Sequence, residues 1–233
     1  MKLYLIFIPI ALIIVVVFFF ILFKKSEKLP SFSTTIKLDT SPDLPVGFGY
    51  KCQWIVVKSN DFYKLLSILN FDENYSSNWK SGIESAYSGN YFVSPPINGW
   101  IFIVNSIMPF IDTREKDNPI NLVKILSKEF GESYYFGTHR IVDYHSWIKA
   151  KNGNIIRAYA YLGETGNILI DQGELTKEEI NNNMYFSKLT GVNAEYPNEE
   201  DVLKISSDWS ISSQLDGKYS EKGVGVVGIY KKK

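Results

Sequence analysis

YYFGTHRIVDYHSWIKAKNGNIIRAYAYL, residues 134–162, is the stretch that decides the fold. Aromatic and β-branched residues dominate it, and Asn152-Gly153 interrupts it where a hairpin turn belongs. The expected strands are Tyr134–Phe136, His139–Ala150 and Ile155–Leu162. Side chains alternate across a strand. One face therefore takes His139, Asp143, His145 and Trp147, and the other takes Tyr144, Ser146, Ile148 and Ala150. A three-residue loop at 151–153 with a glycine bulge pairs Ala150 with Asn154. It sets Trp147 against Arg157, His145 against Tyr159 and Asp143 against Tyr161. That register gives one apolar face and one polar-aromatic face. A two-residue turn would mix them, so the bulged register is expected.

Working outward, Cys52–Val57, Tyr91–Val93, Trp100–Val104 and Ile168–Ile170 also read as strands, with Gly223–Tyr230 as a final one. Gly163–Gly166 is a second hairpin turn. Helices are expected over Asp61–Leu69 with Asn60 as cap, and around Trp79–Tyr87. Asn118, Pro119 and Gly131 bracket a third, with Leu122, Ile125 and Leu126 as its buried stripe. Thr176 with Glu179 is a capping box, and Asn198–Trp209 is the last helix. Strands joined by hairpins predict an α+β fold, a predominantly antiparallel sheet with helices packed on one face. No internal repeat is present.

Ahead of this domain, Leu3–Phe23 runs 21 residues without a charge. As a helix it would measure about 31 Å, enough for a bilayer core of about 30 Å. It ends in aromatic residues followed by Lys24 and Lys25 rather than in small residues at a cleavage site, so it reads as one N-terminal transmembrane helix. Lys24, Lys25 and Lys28 outweigh Lys2, which leans the domain toward the cytoplasm rather than the exterior. The expected organisation is anchor 1–25, a Ser/Thr/Pro-rich linker 26–48, and a single globular domain 49–233.

The chain has 233 residues, 45% hydrophobic and 15% aromatic, which excludes disorder. Lys plus Arg equals Asp plus Glu at 25 each. Without the first 28 residues, 21 basic face 24 acidic groups. A near-neutral domain lacks the basic footprint that a phosphate backbone requires, so nucleic acid is excluded as a partner. The lone Cys52 closes no disulfide and reads as a buried strand residue. Trp54, Trp79, Trp100, Trp147 and Trp209 are scattered and read as core anchors.

The polar-aromatic face is the one constellation with chemistry in it. His139, Arg140, Asp143, His145, Trp147, Arg157, Tyr159 and Tyr161 make a candidate binding surface. His145 with Asp143 is the candidate acid–base pair. His139, Asp143 and His145 offer the donors of a transition-metal site. Same-face residues four apart in a strand stand about 13 Å apart, however, so no metal is assigned without a bend at Gly137-Thr138. No cofactor motif and no nucleophile motif accompanies them.

Residues 135–140 (YFGTHR), 143–147 (DYHSW) and 158–164 (AYAYLGE) resemble a pattern of an uncharacterised bacterial protein family without assigned activity. The resemblance spans roughly Trp54 to Trp209, implies a bacterial source and carries over no functional residue. The expected function is a membrane-tethered, non-enzymatic binding domain. Its partners are the lipid bilayer through residues 3–23 and, for the domain, another protein. The alternative is a hydrolase or metal-dependent enzyme using His139, Asp143 and His145.

Overall fold

The computed structural model of the chain describes residues 37–111, 118–186, 194–217 and 219–230. Nine strands among these residues form one sheet. They are β1 (Cys52–Lys58), β2 (Glu73–Asn78), β3 (Tyr91–Val93), β4 (Trp100–Asn105), β5 (Glu132–His139), β6 (Tyr144–Lys151), β7 (Asn154–Leu162), β8 (Asn167–Gln172) and β9 (Val224–Ile229). Their order is β2-β9-β3-β4-β1-β5-β6-β7-β8, and every neighbouring pair is antiparallel. Among the described residues five helices accompany them: α1 (Phe62–Leu69), α2 (Trp79–Tyr87), α3 (Pro119–Phe130), α4 (Lys177–Asn181) and α5 (Glu199–Trp209).

The helices cover both faces, which corrects the expectation of an α+β layer with helices on one face only. Trp54 and Val56 point into a core with Trp79 and Ile83 of α2 and Val202, Ile205 and Trp209 of α5. Ile55 and Val57 point the opposite way, against Leu65 and Leu69 of α1 and Val123 and Leu126 of α3. The physical reason lies in the central strands. Cys52–Val57 and Trp100–Asn105 are buried without interruption, and a strand apolar on both sides needs cover on both sides.

The expected transmembrane helix and the single-pass character attached to it are corrected to the extent of the described residues, which hold no such helix. Among the described residues no helix is long and apolar enough to cross a membrane. The longest, α3, has 12 residues and an amphipathic pattern, or about 18 Å of rise against a hydrocarbon core of about 30 Å. The segment Leu3–Phe23 lies outside the described residues.

Residues 37–48, read from composition as linker, are tied to the domain. Asp43 accepts the backbone N–H groups of Trp79 (2.7 Å) and Lys80 (3.0 Å) at the start of α2, and Phe48 is a core residue. Local signals place most helix ends correctly. Asn118 caps α3 by accepting from Ile120 N, Gly131 follows its last turn, and Thr176–Glu179 is a reciprocal capping box on α4. The cap of α1 is Asp61 rather than Asn60. Strand β2, Glu-Asn-Tyr-Ser-Ser-Asn, was not expected. It is polar, without alternation, and exists because β9 offers it a backbone ladder from Glu73↔Ile229 to Asn78↔Val224.

Candidate functional site

The deciding stretch folds as three strands, but the break between the first two lies at 140–143 rather than at Gly137-Thr138, so that His139 ends β5 instead of opening β6. Arg140–Asp143 is a turn between β5 and β6, closed by the pair His139↔Tyr144. Asp143 takes a left-handed backbone (φ 53°), and its carbonyl accepts from Gly163 N at 2.9 Å. The next turn is the two-residue Asn152-Gly153, with both φ angles positive as a type I′ turn requires. The expected three-residue loop is thus corrected. Lys151 pairs with Asn154, Trp147 with Tyr159 and His145 with Tyr161. The faces nevertheless segregate as expected, because one extra residue, Ile156, bulges from β7 between the Lys149↔Arg157 and Ala150↔Ile155 pairs. The bulge restores the parity that the short turn would have broken.

The turn at 140–143 separates the two histidines. His139 ends β5 on the same face as Tyr135 and lies beside the Phe110 ring (6.0 Å between centroids), while its Nδ1 has no partner among the described residues. His145 sits on the opposite face with Trp147 and Tyr159. A site built from His139, Asp143 and His145 together is therefore not formed. Among the described residues no group of three His, Cys, Asp or Glu side chains is arranged to hold a metal ion.

The residues that do share a face divide into a sealed part and an open part. Trp147, Arg157 and Tyr159 are 0, 2 and 1% exposed, respectively. They surround Glu179 of α4, which is fully buried. One carboxylate oxygen of Glu179 accepts from Trp147 Nε1 (2.9 Å) and Arg157 Nε (2.8 Å). The other accepts from Thr176 N (2.8 Å) and Thr176 Oγ1 (2.9 Å). Asp171 Oδ1 accepts from Arg157 Nη1 at 2.5 Å. Burial works against the charge on Arg157, but the hydrogen bonds and charges of Asp171 and Glu179 more than offset it and raise its pKa. Tyr159 stacks on Trp147 at 4.8 Å and donates to Phe186 O. Every polar group of this set that meets another is satisfied, so these three side chains form a buried polar layer with no access to solvent.

The open part is a cleft of about 300 Å³ lined by Arg140, Asp143, His145, Asn198, Glu199 and Glu200. His145, 2% exposed, forms its floor. Its Nε2 meets Asp143 Oδ1 at 2.9 Å and its Nδ1 meets Thr138 Oγ1 at 3.2 Å. Thr138 also reaches Glu199 Oε1 at 3.3 Å. Hydroxyl, imidazole and carboxylate thus stand in the sequence of a nucleophile, a base and an orienting acid. The hydroxyl is fully buried, however, and donates to Glu199. No carbonyl of a substrate can approach it. Behind the rim, burial raises the Asp201 carboxyl, although the Asn198 N–H and His145 pull it down.

Gly163 has no room for a side chain, since a Cβ there would stand 2.1 Å from Asp143 Oδ2. Tyr161, 4% exposed, lies opposite His145 and touches Tyr196. Arg140 and Ile141 stand out at the tip of the turn, Ile141 being 74% exposed. Thr138 and Glu199 escaped the sequence reading because Thr138 comes from the neighbouring strand β5, where it pairs with His145, and Glu199 from a helix 61 residues further along the chain. One signal could have found the turn: a strand of twelve residues, His139–Ala150, exceeds the usual three to ten. The chain matches no protein-family model, no curated protein and no solved structure.

Proposed function

We propose that this chain is a non-enzymatic binding domain, and that it meets its partner with the end of the sheet around the β5–β6 turn. The observation that carries the reading is Ile141. A β-branched apolar side chain, 74% exposed, stands at the tip of a turn between Arg140 and Asp143, beside the cleft floored by His145. An apolar anchor ringed by charge is how association surfaces are built, with the centre desolvated and the rim left polar. Asp143, Glu199 and Glu200 face one cation, Arg140, so the rim favours a partner with basic groups. The hydrolase alternative keeps only His145 and Asp143 of its three residues, and the hydroxyl nearest to them is sealed.

The test is site-specific photo-crosslinking in cells. A photo-reactive residue at position 141 should give a discrete adduct, lost when the exposed rim carboxylate is reversed by Glu200→Lys and absent when the same residue replaces Tyr63 on α1, which is also highly exposed. The reading fails if position 141 gives no adduct beyond that of position 63, or if Glu200→Lys leaves the adduct in place.

A further inference from the structure

The protons on His145 can be counted from the hydrogen bonds around it. Three contacts run in line, Asp143 Oδ1 to His145 Nε2 at 2.9 Å, His145 Nδ1 to Thr138 Oγ1 at 3.2 Å, and Thr138 Oγ1 to Glu199 Oε1 at 3.3 Å. Each contact needs one proton, and the carboxylates at the two ends only accept. The hydroxyl brings one proton and donates it to Glu199. Nδ1 must then donate to the hydroxyl and Nε2 to Asp143, so both ring nitrogens carry hydrogen and the ring is an imidazolium.

A neutral ring brings one proton fewer, which leaves two protons for three contacts. Thr138 and His145 are buried, so water does not supply the missing one. The contact that fails is the one to α5. A ring left with hydrogen on Nε2 keeps its bond to Asp143, and its bare Nδ1 takes the Thr138 proton away from Glu199. The other tautomer would set a bare Nε2 against the Asp143 carboxylate, acceptor against acceptor. The charged and titratable groups facing the ring are Arg140 and Asp143 of the turn, Tyr161 of β7, and Glu199, Glu200 and Asp201 of α5. Of these, three carboxylates and Arg140 line the cleft. They leave it at −1 with the imidazolium and at −2 without it.

We propose that His145 is a proton switch beneath the β5–β6 turn: loss of one proton swings the Thr138 hydroxyl from Glu199 to the ring, releases this link between β5 and the start of α5, and makes the cleft more negative. Its use as regulation rests on the binding reading above, since a partner with basic groups gains when the cleft loses a positive charge. Histidine is the side chain whose charge ordinarily changes between about pH 5 and 8.

The test is 15N NMR of the ring nitrogens in the full-length chain across about pH 5 to 9. The chain has two histidines, told apart with His139→Gln. At the acid end both nitrogens of His145 should carry hydrogen. As the pH rises Nδ1 alone should lose it, and the Glu199 amide should shift with the same midpoint. In Glu199→Gln the new amide donates to Thr138, a neutral ring completes the relay, and the midpoint should fall by about one pH unit, tenfold in proton affinity. Glu200→Gln removes the same charge from the rim without touching Thr138 and should move the midpoint less than about half as far. The proposal is overturned if Nδ1 carries no hydrogen at the acid end or keeps it at the alkaline end. It is equally overturned if Nε2 loses its hydrogen instead, or if the two Gln variants move the midpoint alike. No partner is present in these measurements, so failure of the binding reading would leave their outcome unchanged.

Discussion

Glu179→Ala should unfold this protein more readily than any other single change on the polar face. The carboxylate accepts four hydrogen bonds, from Trp147, from Arg157 and two from Thr176, with no exposure to water. Removing it leaves the Arg157 guanidinium buried with Asp171 as its remaining carboxylate, for which a cost of about 3–5 kcal/mol is typical. Loss of the α4 cap adds about 1 kcal/mol. Asp171 remains in place, so the lower part of the sum applies, about 4 kcal/mol in all. For a chain of this size that corresponds to a fall in Tm of about 8–16 °C. Chemical denaturation of the wild type, Glu179→Ala, Arg157→Met and the double variant closes a cycle. The double variant should be more stable than the sum of the singles by about 2–3 kcal/mol, because neither charge is then left buried alone. A cost below about 1.5 kcal/mol for Glu179→Ala, or additivity in the cycle, would refute the assignment of Arg157, Trp147 and Glu179 as one buried unit.

Tyr144→Phe should cost about 1–3 kcal/mol, since Tyr144 Oη accepts from Ile111 N (2.8 Å) and meets Tyr135 Oη (3.2 Å) inside the core; equilibrium unfolding checks it. Cys52 should resist thiol reagents at pH 8 until the protein is denatured, because burial pushes its thiol up to about 12; labelling of the native protein at the rate of a free thiol would contradict this. Burial pushes the Glu132 carboxyl up, but Tyr134, Lys151 and Lys58 outweigh it and hold it below the usual 4.5. The folded state therefore releases this proton at lower pH than the unfolded chain. Its stabilisation is present above 4.5 and is lost as the pH falls through the folded value. Glu132→Gln should flatten the acid limb of a stability–pH profile, and an unchanged slope would exclude the contribution.

The sequence by itself determined the local elements. Caps and breakers such as Asn118-Pro119, Gly131, Thr176–Glu179 and Asn198 act within a few residues of themselves, so helix ends could be read directly. The apolar alternation in 144–150 and 158–162 likewise fixed which side chains share a face, even though the expected register was wrong. A bulge at Ile156 and a shorter turn change the pairing by two positions, and a shift of two preserves the face.

Tertiary structure decided what no local pattern encodes. Strand β2 is a strand only because β9 lies beside it. Helices cover both faces because Cys52–Val57 and Trp100–Asn105 are apolar on both sides, a property of the whole sheet rather than of either run. His139 and His145 part company because the chain turns at Arg140–Asp143, and a turn reverses the strand where a continuous strand would have kept both rings on one side. Glu199 reaches Thr138, and Glu179 reaches Arg157, across gaps in sequence that only packing closes. Long-range pairing is set by the total burial it achieves, and no window of a dozen residues contains that sum.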